Sequence, residues 1–166
     1  THKHIKIKVI GDGQDNSALM GYSKLGESNL EWERRWLNST EIAEEITAAD
    51  ICLGIFGSTE KTQRVLPLKL YAYARSGRCI ITANTTCCTE YTSSLDHEPW
   101  YAIPEADPES LAKAIFDLAE NTELRSTLAF NAGNFYMEHL SNKAAEEILM
   151  KTLFPTQINH PTYESA

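Results

Sequence analysis

The middle of the chain constrains the fold more than any other part of the sequence. An apolar run over residues 51–56 stops at Gly57 and is followed by a polar segment, residues 58–64. Residues 66–76 have a helical pattern, and a second apolar run covers residues 79–83. Strand, polar loop, helix and strand in this order form a βαβ unit, whose two strands pair in parallel in a sheet that helices cover.

The polar loop of this unit is a candidate ligand site. In open α/β sheets, ligands bind in the crevice outside the carboxyl ends of the strands. Three cations, several hydroxyl groups and a helix N-terminus are expected there, which suits a phosphate; the cations are Lys61, Arg64 and Lys69. The alternative is an ordinary surface loop between a strand and a helix.

Lys69 is the most informative of these cations. Pro67 suits the first turn of a helix, because the proline gives up only an N–H that has no helical partner. Lys69 then lies in that same turn, where an ammonium adds to the positive potential of the helix N-terminus. A bound phosphate would explain a cation at this position. The alternative is a solvated lysine that points away, and Lys61 is interpreted as an exposed loop residue.

The N-terminal part of the chain begins with a second strand and loop. Residues 4–10 alternate as a strand does, and Gly11-Asp12-Gly13 ends it. The glycine pair is explained by a tight turn between strand and helix; the functional alternative is that it permits a close approach of a ligand to the backbone. A weak helical signal ends at Gly26. Residues 30–36 read as a partly exposed strand, and Asn38 is predicted to cap a helix through a capping box with Glu41.

The C-terminal part shows one more strand and three helices. The pattern is lost from Cys87–Cys88, interpreted as lying in a polar loop, until a short strand over residues 100–103. Asp107 as N-cap and Pro108 at the first helical position predict the next helix. The N-caps of two further helices are predicted at Thr122 and Ser141. The expected apolar faces of the three helices are Leu111, Ala114, Ile115 and Leu118; Leu124, Leu128, Ala132 and Phe135; and Ala144, Ile148 and Leu149.

Strands that alternate with helices predict a mostly parallel sheet with right-handed crossovers. We therefore expect a Rossmann-like, three-layer α/β/α domain over residues 1–154. Residues 155–166 contain two prolines and little periodicity, and they are expected to form an extended or disordered tail.

Composition excludes several classes of protein. The chain has 166 residues, enough for one domain, and a formal charge of -8, which argues against non-specific binding to nucleic acid. No segment has the roughly 20 apolar residues of a membrane span. The four cysteines do not form a disulfide or zinc pattern, which favours a reducing, cytoplasmic location. Because the five histidines are scattered, without ligand spacing, we expect neither a metal site nor histidine-based catalysis. No cofactor is expected.

The order of the motifs closely resembles the C-terminal domain of GT-B glycosyltransferases of the retaining glycosyltransferase 4 family. The resemblance covers residues 5–141 and rests on GDG after the first strand, then ADxxLGIFG, PxK, SG, DPExLAxAI and ELR. It implies one of two Rossmann-like domains that face each other across a cleft. In that family the C-terminal domain binds the nucleotide-sugar donor, and the N-terminal domain binds the acceptor.

The resemblance also implies which residues bind the donor. The positions that match the donor- and phosphate-binding loops are Gly11, Gly13, Gly57, Ser58, Thr59, Arg64, Val65 and Lys69. The positions near the nucleobase and ribose are Arg35, Trp36, Leu37 and Ala72. No catalytic residue is assigned within this chain. The base is left open, because Trp36 can stack on any of them.

Two departures from the family pattern bear on activity. The family has one glutamate at the donor sugar and another that bonds the ribose, and Arg64 and Ala72 stand at those positions. Ala72 cannot accept a hydrogen bond, whereas the guanidinium of Arg64 suits a phosphate. The strand and helix that normally open the domain, with their basic pair, are also missing from this sequence.

The implied function is hexosyl transfer from a nucleotide-sugar by a larger protein, of which this fragment would not be active alone. Its partners are then the nucleotide-sugar and an N-terminal acceptor-binding domain, and peripheral association of the parent protein with a membrane is compatible with this. A degenerate, non-catalytic binding or scaffold module is the main alternative. A related epimerase would need acid/base residues that the sequence does not offer. A receiver domain would need clustered acids after the first strand, where only Asp12 stands.

Overall fold

The structure is a computed structural model that describes residues 4–12, 19–21 and 29–155. The chain divides into two compact units, Thr1–Ala48 and Ala49–Ala166. Within the described residues, no helix has the length and apolar character needed to cross a membrane.

The first unit contains two parallel strands, β1 (Ile7–Ile10) and β2 (Leu30–Glu33). In β1, half-buried Ile7 and Val9 alternate with exposed neighbours, as the sequence predicts. Strand β2 ends three residues before the predicted boundary. Residues 19–21 are helical, and the rest of the helix predicted to end at Gly26 lies outside the described residues.

Helix α1 (Ser39–Ala48) begins with the predicted capping box. The Asn38 side-chain oxygen accepts hydrogen bonds from the backbone N–H groups of Thr40 and Glu41, at 2.9 and 3.0 Å. In return, the Glu41 carboxylate accepts one from the Asn38 backbone N–H, at 2.8 Å. Ile46 is buried on this helix, whereas Ile42 on the same predicted stripe is 43% exposed.

The second unit contains three parallel strands in the order β3 (Ile51–Leu53), β4 (Cys79–Ala83) and β5 (Tyr101–Ile103). All five residues of the central strand β4 are buried. A parallel strand covered on both faces reads as a continuous apolar run, which explains why β4 is so plain in the sequence.

Helices connect and follow these strands. They are α2 (Glu60–Arg64), α3 (Leu68–Arg75), α4 (Thr86–Thr92), α5 (Pro108–Glu120), α6 (Thr122–Phe135), a π-helical turn (Tyr136–Leu140) and α7 (Asn142–Leu153). Of the two crossovers, α2 and α3 join β3 to β4, and α4 joins β4 to β5.

Successive residues of β4 pack into different hydrophobic clusters. Ile80 packs with Leu70 of α3 and with Trp100, whereas Ile81 packs with Leu118 of α5. Because neighbouring side chains of a strand point to opposite faces, helices cover both faces of this sheet. The predicted three-layer α/β/α architecture is confirmed here.

Two predictions of irregular structure are wrong. The polar segment after β3 includes the short helix α2, which Thr59 caps. Cys87 and Cys88 do not lie in a polar loop: they belong to α4 and are buried, with Thr85 as the N-cap. Both thiols are free, and burial raises their pKa values. Cys88 therefore behaves as a small apolar side chain of the core.

The caps of the last helices follow the sequence closely. Asp107 accepts from the Ser110 backbone N–H at 2.9 Å, and Ser141 accepts from that of Ala144 at 3.1 Å, as predicted. The cap of α6 is Asn121 instead of Thr122, because the Asn121 side chain accepts from the Leu124 N–H.

The apolar face predicted for α7 is only partly correct. Ala144, in the first turn, is buried. Ile148 and Leu149 are 60% and 56% exposed, so only the first turn of that face is buried.

Candidate functional site

The carboxyl ends of β3, β4 and β5 lie at one edge of the second unit, because the strands are parallel. Backbone pairing continues just past β3: the Gly54 N–H donates to Ile81 O, and the Ala83 N–H donates to Ile55 O, both at 2.8 Å. The polar segment that follows therefore starts from a fixed position at this edge. This is where ligands bind in open α/β sheets.

Gly54 is required by packing at the end of β3. A Cβ at this position would lie 2.5 Å from Thr82 Oγ1 and 2.7 Å from Thr82 Cβ, far inside contact distance. Thr82 is itself fully buried in β4, so there is little room for its side chain to shift. Gly57, the glycine that the resemblance implicates, has no such restriction, since its nearest neighbour would be Thr62 Cγ2 at 3.8 Å.

The polar segment is ordered by its own hydrogen bonds. The Thr62 hydroxyl donates to the Gly57 carbonyl oxygen at 2.8 Å, and Thr59 Oγ1 accepts from the Thr62 backbone N–H. Two further predicted residues lie beside these: Ser58 is exposed, and Val65 is 48% exposed at the end of α2. Five of the predicted donor-binding residues thus share one edge of the sheet with Lys69.

The two predicted phosphate ligands have different environments. Arg64 forms an ion pair with Glu60, one turn earlier on α2, and both side chains are largely exposed. Such a pair contributes little to stability, so the guanidinium is easily recruited by a stronger anion. Lys69 donates from Nζ to the Gly54 carbonyl oxygen at 3.3 Å. The ammonium is therefore held over the end of β3 instead of pointing away into solvent.

Gln63 is the residue of this edge that the sequence analysis missed. Its Nε2 donates to the Glu105 carboxylate at 2.6 Å, and its Oε1 accepts from the backbone N–H and hydroxyl of Thr86, at 3.0 and 2.9 Å. One side chain thereby joins the segments that follow β3, β4 and β5. No motif marks such a glutamine.

Ala106, next to Glu105, has a left-handed backbone conformation with φ of 51°. Its N–H donates to the Phe56 carbonyl oxygen at 2.8 Å. This bond fixes the segment after β5 against the segment after β3, and a non-glycine residue tolerates this φ only where its surroundings enforce it.

In the first unit, Gly11 follows β1 with φ of 116°, a conformation that favours glycine. Its N–H donates to the Glu33 carbonyl oxygen, and its own carbonyl oxygen accepts from Trp32 Nε1, each at 3.0 Å. Gly13 lies outside the described residues.

Arg35 belongs to a network of charges at the start of α1. Its guanidinium donates to Glu33 at 2.9 Å and to Glu41 at 2.7 Å. The bond to Glu41 raises the pKa of Arg35. The Asn38 backbone N–H, followed by Arg35, lowers the pKa of the Glu41 carboxyl.

The remaining predicted residues differ in exposure. The Trp36 side chain is 83% exposed, leaving an indole face open for stacking, and Leu37 is half-buried. Ala72 lies on α3 and is half-buried. It offers no side-chain hydrogen-bonding group.

Carboxylates, imidazoles and thiols do not gather into a metal site in the part of the chain that the structure describes: no group of three or more of them is placed to hold an ion.

No family model and no curated protein matches the sequence. Solved structures do match the fold. HepE from Anabaena, in complex with UDP, superimposes with a TM-score of 0.69 at 16% identity over 90% of this chain and 40% of that chain. The C-terminal domain of LpcC, a glycosyl transferase group 1 family protein from Francisella tularensis, gives 0.63 at 16% identity over 82% and 70%. Sucrose-phosphate synthase from Thermosynechococcus elongatus gives 0.66 at 15% identity over 90% and 39%.

These matches define the fold in two steps. The chain is an α/β protein of the Rossmann-like class, with parallel strands between helices. More narrowly, it has the fold of one half of a GT-B glycosyltransferase, which confirms the fold that the resemblance implies. The chain spans about 40% of the length of HepE.

Proposed function

We propose that this chain is the donor-binding half of a retaining glycosyltransferase, which transfers a hexose from a nucleotide-diphosphate sugar to an acceptor. One observation carries the proposal. Lys69 and the ordered polar segment lie at the carboxyl edge of a sheet whose fold matches that of HepE, and HepE has been solved with UDP and with UDP-glucose.

The chemistry of this edge suits a departing nucleotide diphosphate. Transfer of the sugar leaves negative charge on the phosphate oxygens, and fixed donors aimed at that charge lower the barrier. Lys69 supplies an ammonium, and the polar segment supplies backbone N–H groups. Arg64 adds a guanidinium. It can leave the exposed carboxylate of Glu60 and bind a phosphate through two parallel hydrogen bonds.

Recognition of the nucleoside is proposed for the first unit. The exposed indole of Trp36 provides a stacking surface for any of the bases. As the family resemblance implies, Arg35 and Leu37 are proposed to act near the base, and Gly11 and Gly13 near the diphosphate. We propose that neither a metal ion nor a cofactor takes part, and that Lys69 and Arg64 supply the positive charge that faces the phosphate.

The acceptor and the complete reaction belong to a longer protein. We propose that an N-terminal domain of the same parent binds the acceptor and closes the cleft, and that the parent works in the cytoplasm, with or without peripheral attachment to a membrane. Acceptor and linkage depend on that domain.

A second function is favoured by one residue. Ala72 stands where the resembled family has its ribose-binding glutamate, and it has no hydrogen-bonding side chain. A degenerate glycosyltransferase-like module that binds or scaffolds without turnover would tolerate this loss. Sugar transfer by the full-length parent protein separates the two, because robust turnover excludes the non-catalytic module.

Isothermal titration of the parent protein with UDP, GDP and ADP tests the proposed donor site. We expect one of the three to bind, and Lys69→Ala to weaken that binding about tenfold, equivalent to roughly 1.4 kcal/mol. Lys151→Ala, on the exposed surface of α7, is the matched control and should leave affinity unchanged. Absence of binding by all three nucleotides would refute the proposal.

A further inference from the structure

A concave surface lies at the carboxyl edge of the same sheet, beside β4 and β5. It has a volume of about 380 Å³ and is called here the polar groove. The residues that shape it include Gln63, Asn84, Thr86, Thr89, Glu90 and Glu105. Its volume falls in the range of small-molecule sites, which is roughly 300–1,000 Å³.

The lining of the polar groove selects against phosphates. Two of its residues, Glu90 and Glu105, are acidic, and none of the described residues that line it is Lys, Arg or His. Negative charge without a compensating cation repels a phosphate. Among the described residues that line it, none is aromatic or a large aliphatic, so the functional groups of its side chains are hydroxyls, amides and carboxylates.

The floor of the groove is built before any ligand arrives. Gln63 binds Glu105 through its amide nitrogen and Thr86 through its amide oxygen, so both ends of the side chain are used within the protein. The positions of Thr86 and Glu105 are thereby fixed relative to each other. A preorganised floor lowers the conformational entropy that binding must remove.

The wall of the groove keeps unused hydrogen-bonding groups. The Thr89 hydroxyl donates to Asn84 Oδ1 at 2.8 Å, which orients the amide and leaves Asn84 Nδ2 available as a donor. The Glu90 carboxylate makes no hydrogen bond or ion pair with the described residues, and Gln63 occupies one oxygen of Glu105. Strong acceptors therefore face a groove that also holds an amide donor.

This combination matches a chain of hydroxyl groups, each of which both donates and accepts. We propose that the polar groove, whose described lining includes none of the predicted donor-binding residues, binds a neutral saccharide. The carboxylates accept from sugar hydroxyls, and Asn84 Nδ2 donates to one. This inference goes beyond the donor site, since it assigns a sugar-binding role to residues that no nucleotide contact requires.

Saturation-transfer difference NMR on the parent protein tests the proposal directly. The probes are glucose, galactose, mannose and N-acetylglucosamine, each without nucleotide, and glucosamine as a cationic comparison. For a ligand of this size we expect a Kd on the order of 1 mM for at least one neutral sugar. No signal from any neutral sugar, or signal from glucosamine alone, would overturn it, the latter by indicating a cation site.

Matched variants locate the binding. Glu90→Gln removes a charged acceptor while keeping the size of the side chain, and should weaken saccharide binding about tenfold. Glu147→Gln, an exposed position on α7, makes the same change of charge away from the groove and should have no effect. Saccharide binding that Glu90→Gln leaves unchanged would place the sugar elsewhere and contradict the assignment.

The donor site and the polar groove can fail independently. Lys69→Ala should weaken nucleotide binding and leave the saccharide signal intact, whereas Glu90→Gln should do the reverse. If the parent protein binds no nucleotide but does bind a neutral sugar, the donor site is refuted and the groove stands; if it binds a nucleotide but no neutral sugar, the groove is refuted and the donor site stands.

Discussion

The two units of the chain are stabilised by different interactions. In the second unit, the central strand β4 is buried throughout, and hydrophobic clusters cover both of its faces. In the described part of the first unit, Ile46 is the buried apolar side chain, and charged pairs are prominent: Lys8 with Glu45, Arg34 with Asp12, and Arg35 with Glu33 and Glu41.

The difference teaches how each unit should respond to its surroundings. Burial of apolar surface is favourable by about 25 cal/mol per Å² and is insensitive to pH. Exposed ion pairs contribute little and are screened by salt. The stability of the second unit should therefore depend mainly on its core side chains, and that of the first unit should be more sensitive to pH and ionic strength.

The largest expected effect comes from Trp100, in the core of the second unit. Trp100 is 2% exposed and packs edge-on against Phe135, with ring centroids 5.1 Å apart. Trp100→Ala should lower the free energy of unfolding by about 3–5 kcal/mol, because it removes a large core side chain and leaves a cavity. Urea denaturation measures this loss.

Trp36→Ala is the control in the first unit, where the same change is made at an 83% exposed position. It should alter the free energy of unfolding by less than about 0.5 kcal/mol. Equal losses for the two variants would break the comparison, since they would mean that the first unit also depends on a buried core.

A smaller effect is expected from adding a methyl group at the edge of the sheet. Gly54→Ala forces a Cβ against Thr82, and overpacking of this kind lowers the free energy of unfolding by about 1–3 kcal/mol. Gly57→Ala adds the same atom where there is room, and should change it by less than about 0.5 kcal/mol. Thermal or urea unfolding of both variants decides; similar values would show that Thr82 moves aside.

The smallest effect is the acid response of the first unit. Hydrogen bonds from Asn38 and Arg35 hold the pKa of Glu41 below its ordinary value of 4.5 in the folded state. A lowered carboxyl pKa stabilises the fold above about pH 4.5, and this contribution is lost as the pH falls through the folded pKa.

Glu41→Gln should therefore destabilise α1 slightly at neutral pH and reduce its further loss on acidification. Hydrogen exchange of the α1 amides, measured against pH, reads this out. Glu44→Gln on the same helix is the control and should keep the acid response. An unchanged response in Glu41→Gln would show that other carboxylates set it.

Local signals in the sequence predicted the helix starts and the buried strands. Asn38 and Asp107 bond to backbone groups three residues away, so the residues that cap a helix stand together in the sequence. The apolar run of β4 was equally plain. The fold class followed from the order of these elements, because strands that alternate with helices have few ways to pack.

Features that depend on distant contacts were not predictable. Helix α4 is rich in threonine, a poor helix former, and it persists because tertiary packing buries Cys87 and Cys88. Gln63 joins Thr86 and Glu105, which lie 23 and 42 residues further along the chain. A single sequence does not show which distant residues are in contact. The role of Gln63 at the edge of the sheet could therefore not be predicted.

The left-handed backbone at Ala106 has a consequence for both the unfolded and the liganded chain. A glycine there would relieve strain of about 1 kcal/mol, but it would also give the unfolded chain more freedom, worth roughly 0.5–1 kcal/mol. Because these effects nearly cancel, alanine leaves the folding equilibrium almost unchanged. Alanine also removes alternative conformations of the turn beside Glu105. A ligand that binds there therefore loses less conformational entropy in ordering this turn.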